Sequence, residues 1–155
     1  GYWGTVAKRS YHHTAPVNSL YALHESLVIL EEEGLEVSWK RHRLNHLALA
    51  AGLESIGLSF VVEEGNRLPQ LNAVSFPQQI DEAAVRRALL AEYGLEIGAG
   101  LGALAGKAWR IGLMGYASNR ANVNFCVSSL GNVLNAQGHR CDVSQAIAEA
   151  ERFYV

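Results

Sequence analysis

Residues 95–115, LEIGAGLGALAGKAWRIGLMG, decide between two folds. Gly98, Gly100 and Ala103 fit G-x-G-x-x-G/A, the pattern that opens dinucleotide-binding α/β domains. That pattern requires a helix directly after it and an acidic residue about twenty positions further on. Here a few residues separate the glycines from the next apolar run, AWRIGLM, and the later region reads SNR, with no carboxylate. The nucleotide-binding reading is therefore set aside. The stretch reads instead as two strands, 95–99 and 108–114, joined by a glycine-rich connection. Glycines in such a link let backbone come close to something else, either a ligand or another chain segment.

Upstream, LSFVV at 58–62 and NAVSF at 72–76 predict two more strands, with Gly65, Asn66 and Pro69 as turn residues between them. The remaining segments have helical spacing. Leu20, Leu23, Leu27 and Leu30 mark a helix over Val17–Glu33, stopped by Gly34. A second helix is expected over 35–56, with Trp39, His42, His46, Ala50 and Leu53 on one stripe. So tight a junction predicts a hairpin or one sharply bent helix. A third helix starts at Asp81 and ends at Gly94. A fourth covers 120–136, capped by Ser118 or Asn119. Asp142 and Gln145 form a capping-box variant that opens a last helix, reaching about Phe153 or Tyr154. The order is α-α-β-β-α-β-β-α-α. Strands arriving in adjacent pairs predict an α+β fold, a small mainly antiparallel sheet covered by helices on one face. Residues 1–16 read as an arm or incoming linker, and 17–155 as one domain. Tyr2 and Trp3 in the arm want a partner surface.

Composition narrows the function. The chain has 155 residues, 49% hydrophobic and 18% charged, which suits one globular domain with a proper core. Thirteen basic and fifteen acidic residues leave no surplus to offset a phosphate backbone, so no nucleic-acid partner is expected. No apolar run reaches the ~18–20 residues of a membrane span, and no membrane partner is expected. The first residues show no signal-peptide pattern, and ERFYV at the end is not a peroxisomal tripeptide, so a cytoplasmic location is expected. Cys126 and Cys141 lie in no CxxC pair and read as two unpaired thiols of a reducing compartment. His42 and His46 share a helix face, but spacing offers no third ligand, and no metal site is assigned.

One residue breaks the apolar pattern. In AWRIGLM, alternation that buries Trp109 and Ile111 sends Arg110 to the opposite face. Either it is a solvated residue on an open sheet, or its planar fork clamps a carboxylate or phosphate. Gly112 and Gly115 nearby would leave room for a ligand. In YHHT, the hydroxyls of Tyr11 and Thr14 could both donate to one phosphate, or could simply be packing and helix-leading groups. The chain has no G-x-S-x-G, H-E-x-x-H or P-loop.

The segments SYHHTAPVNSLYALHESL, EEEGLEVSWKRH, RLPQLNAVSFP and LEIGAGLGALAGKAWRIGLMGYASNRANV occur in this order and spacing. Together they resemble the C-terminal part of the alanine–glyoxylate and serine–pyruvate aminotransferases, class V, fold-type-I enzymes that use pyridoxal phosphate. The resemblance implies the small C-terminal domain of that fold, preceded by its arm. It implies that Arg110 binds the substrate α-carboxylate. It implies that Tyr11 and Thr14 reach across a homodimer to the cofactor phosphate of the other subunit. The family's Schiff-base lysine, pyridine-facing aspartate and stacking aromatic lie upstream of YHHT. None of Lys8, Lys40 or Lys107 matches that lysine. No catalytic residue is therefore expected in this chain, and alone it is expected to be inactive. Activity on small amino and oxo acids would belong to the parent polypeptide or to a complex with a separate large-domain chain. The alternative is a non-catalytic remnant that dimerises or binds small acids.

Overall fold

A computed structural model describes residues 13–155. The chain divides into two compact units after Val37. The first contains helix α1, Val17–Glu33, none of whose residues is buried. Gly34, at φ 84°, ends it and donates its N–H to the Leu30 carbonyl. Positive φ is a conformation that glycine adopts without Cβ strain, which is why the helix stops there. Helix α2, Leu35–Ser55, lies mostly in the second unit. His42, His46, Ala50 and Leu53 of the expected stripe are buried, and Ser38, Asn45, Ala48, Leu49 and Gly52 are buried beside them, so the buried face is wider than the sequence suggests and carries two further polar residues. Trp39, expected on that stripe, is 61% exposed.

The second unit carries a sheet of four strands: β1 Ser59–Phe60, β2 Leu71–Ser75, β3 Gly98–Ala99 and β4 Ala108–Gly112. All pairings are antiparallel, in the order β1-β2-β4-β3. The α+β expectation is met. Three strands, β1, β3 and β4, are shorter than their apolar runs, and for β1 and β3 a helix end takes the first residue. Leu58 spends its N–H on the Leu53 carbonyl to close α2, and Leu95 spends its own on Leu89 to close the next helix. Residues used to leave a helix cannot also join a ladder.

The other helices begin where their caps predict. Asp81 accepts from the Ala84 N–H and opens α3, Glu82–Tyr93. Asn119 accepts from the Asn122 N–H and opens α4, Arg120–Ala136. Asp142 accepts from the Gln145 N–H and opens α5, Val143–Glu151, followed by a single tight turn. The capping box there is half formed, because the Gln145 side chain turns to Glu149 instead of back to its cap.

One face of the sheet supplies Val74, Trp109 and Ile111 to a cluster completed by Leu49 and Leu53 of α2, Val85 and Leu89 of α3, and Val127 and Leu130 of α4. Trp109 is fully buried and packs against Phe76 with ring centroids 4.4 Å apart. Fully burying one such side chain contributes roughly 1.5–3 kcal/mol, so this face anchors the unit. Cys126 of α4 is buried in the same cluster, and burial pushes its thiol up to about 12. Both cysteines are free thiols.

The glycine-rich link receives a steric explanation. A Cβ on Gly100 would lie 2.0 Å from the Leu104 carbonyl oxygen and 2.9 Å from that of Ala108. The close approach is between two parts of the chain's own backbone. Gly100→Ala is expected to destabilise the fold by about 2–4 kcal/mol, whereas Gly65→Ala, with open space around it, is expected to stay within about 0.5 kcal/mol. Urea unfolding of the two variants measures the difference.

Candidate functional site

Arg110 occupies the middle of β4, paired with Ala73 on β2 and Gly98 on β3. The pleat separates it from Trp109 and Ile111, which are buried. Arg110 is half-buried on the opposite face. Its cross-strand neighbours on that face have little or no side chain, and two residues along the strand is Gly112. The guanidinium thus stands over a floor of small residues.

The hydrogen bonds of that group are unevenly used. Nε donates to the Ala99 carbonyl at 2.8 Å. Among the described residues no carboxylate pairs with Arg110, and its two terminal nitrogens have no protein acceptor. Taking a cation partly out of water without a counter-ion is unfavourable, and an anion supplied from outside removes that cost. The arrangement can therefore accept a carboxylate through two parallel N–H donors.

The segment that follows β4 is held from α2. Gly115–Ala117 form a tight turn. Arg41 Nη1 donates to the carbonyls of Gly115 and Ser118, each at 2.8 Å. The Gly115 N–H donates to His42 Nε2 at 3.1 Å, while His42 Nδ1 lies 2.7 Å from the Ser38 carbonyl. These partners fix one tautomer, with Nδ1 donating and Nε2 accepting. Asn45 Nδ2 donates to Ser118 Oγ, and the Tyr154 hydroxyl donates to Asn45 Oδ1. One turn further along α2, His46 Nδ1 donates to Asn72 Oδ1 at 2.7 Å, and Asn72 Nδ2 donates to the Ile111 carbonyl. The two histidines considered as a metal pair are thus committed to separate hydrogen bonds. Among the described residues no cluster of metal-ligating side chains occurs.

Arg41, Asn45 and Ser118 escaped the sequence reading. Polar residues recurring at helical spacing within a buried stripe were the available signal. Thr14 is exposed and belongs to the first unit, whereas Arg110 belongs to the second. Tyr11 lies outside the described residues. Among the described residues no helix is long and apolar enough to cross a membrane.

No family profile matches the chain. It is 39% identical over 153 residues to the (S)-ureidoglycine–glyoxylate transaminase of Bacillus subtilis, covering 99% of this chain and 36% of that protein. It is 42% identical to the alanine–glyoxylate aminotransferase of Callithrix jacchus, covering 85% of this chain and 32% of that protein. The crystal structure of the Bacillus subtilis ureidoglycine–glyoxylate aminotransferase superposes with a TM-score of 0.87 at 40% identity, over 92% of this chain and 37% of that one. The pyridoxamine–pyruvate aminotransferase of Mesorhizobium loti superposes with a TM-score of 0.88 at 31% identity, over 94% and 37%. The chain belongs to the class V aminotransferase family. It spans about a third of the length of the relatives it matches.

Burial pushes the His46 imidazole below its ordinary value of 6.5, with its Asn72 hydrogen bond opposing the shift. The unfolded chain then takes up the proton more readily than the folded one. Stability is expected to fall as pH drops below about 6.5, and His46→Gln is expected to flatten that slope. Urea unfolding of both proteins at a series of pH values reads the two slopes.

Proposed function

We propose that this chain is the C-terminal domain of a cytoplasmic pyridoxal-phosphate-dependent aminotransferase, which moves an amino group from alanine or serine to glyoxylate or pyruvate. The observation that carries the proposal is Arg110, a half-buried guanidinium without a carboxylate partner on an open sheet face. Homology to aminotransferases that act with glyoxylate or pyruvate supports it.

The free edge of Arg110 suits the acid, and hydroxyls such as those of Tyr11 and Thr14 are donors of the kind a phosphate takes. Arg110 takes the two oxygens of the α-carboxylate in its planar fork. Both substrates of such a transfer are 2-substituted acids, so one clamp serves donor and acceptor in turn. Fixing the carboxylate plane also fixes the axis of the bond to the α-carbon, which places the reacting carbon. Thr14, and Tyr11 three positions before it, would donate their hydroxyls to the cofactor phosphate, across the two-fold axis of a homodimer. Pyridoxal phosphate, when bound, supplies the electrophilic carbon through which the amino group passes. The lysine that holds it is assigned to residues outside this chain, and no catalytic residue is assigned within it. Residues 1–16 are read as the arm and 17–155 as the small domain.

The test compares pyridoxal-phosphate binding and alanine–glyoxylate transamination for the chain alone and after mixing with the lysine-bearing part. Activity confined to the mixture is the expected result. No cofactor binding and no activity in either sample would favour the non-catalytic remnant. Within the active mixture, Arg110→Ala is expected to lower kcat/KM for alanine by about a hundredfold or more, as for losing a bidentate charged pair. Its thermal midpoint should stay close to that of the parent, because the side chain packs no core. An unchanged kcat/KM would sink the clamp.

A further inference from the structure

Arg110 could meet an acid with either of two edges: side-on, through Nε and one terminal nitrogen, or end-on, through both terminal nitrogens. The answer depends on β3, and the inference rests on the clamp reading above. Nε is already spent on the Ala99 carbonyl at 2.8 Å, which leaves the end-on edge complete and the side-on edge broken.

The neighbouring glycine sets how the group lies. A Cβ built on Gly98 would be 3.1 Å from Nη2, 3.3 Å from Cζ and 3.4 Å from Nε of Arg110. Three atoms of one planar group at nearly equal distance mean that its plane lies flat along the bare Cα of Gly98. Any side chain there must lift the guanidinium, stretch the bond to Ala99 and swing Nη2 away. Gly98 is not needed for the backbone, because its φ is not positive. A glycine in a strand otherwise weakens it. Its absent side chain therefore serves the neighbour across the ladder.

We propose that Gly98 is a positioning residue: it seats the Arg110 guanidinium flat against β3, with Nε tied to Ala99, so that the two terminal nitrogens form the edge offered to a 2-oxo or 2-amino acid. The seat is made before the ligand arrives. Binding then orders little that is not already ordered, which favours affinity and fixes the angle at which the acid enters.

The experiment uses the full chain as wild type, Gly98→Ala, Gly98→Val and Arg110→Ala. Pyruvate is the probe, titrated by nuclear magnetic resonance, and the Arg110 Nε–H signal is followed in the same samples. Gly98→Val is expected to weaken pyruvate binding about ten- to hundredfold, as for losing one charge-assisted hydrogen bond, and to speed exchange of the Nε proton. Gly98→Ala should show the same two changes, smaller, because the guanidinium need give by only a few tenths of an ångström. Neither variant should lower the thermal midpoint, since a side chain suits a strand better than glycine does. A merely structural role for Gly98 would move the midpoint and leave the Nε signal alone. Should Gly98→Val fail to fold, Gly98→Ala decides. Pyruvate affinity kept in Gly98→Val but lost in Arg110→Ala would overturn the seat and leave the clamp standing. Affinity kept in Arg110→Ala would overturn the clamp, and the seat as a ligand-positioning device with it.

Discussion

The pleat of β4 is the constraint on which the second unit depends. Adjacent residues of a strand must face opposite ways, so Trp109 and Arg110 cannot share a side. With β2 and β3 paired to its two edges, β4 has no freedom to slip by one residue. Burying the tryptophan therefore turns the half-buried guanidinium to the other face. The energy that holds the fold and the chemistry offered by the sheet are set by one register.

The helices were legible because their ends are local. Asp81, Asn119, Asp142, Gly34 and Gly94 lie at the ends of the helices they start or stop, and each acts within its own turn. Strand ends are decided elsewhere. Leu58 and Leu95 look like strand residues, but their N–H groups close helices, and only the path of the chain shows it. The face of Arg110 could be read from alternation alone. Its bond to Ala99 could not, since that depends on how β3 aligns with β4. The stripe of α2 was read in part, His42, His46, Ala50 and Leu53 being buried and Trp39 exposed, and its polar partners were missed for a similar reason. Arg41, His42 and Asn45 bind a turn more than seventy positions away, and their helical spacing signals a polar face without naming that partner.

The glycine-rich stretch shows how one composition can serve a different end. In dinucleotide-binding domains the glycines admit a pyrophosphate. Here Gly100 admits the carbonyls of Leu104 and Ala108, and Gly98 admits a side chain from the next strand. Both uses need backbone without Cβ, so glycine spacing alone does not separate them. The next element along the chain does: a short link and another strand close a hairpin, whereas a helix would begin a crossover.

The burial of Cys126 has a use beyond packing. A thiol held near 12 carries almost no thiolate at neutral pH, and the cluster around it bars reagents as well as protons. It becomes chemically visible only while α4 stands away from its neighbours. The rate at which a thiol reagent modifies this position therefore counts those openings. The chain carries, in the middle of its core, a native clock for its own breathing.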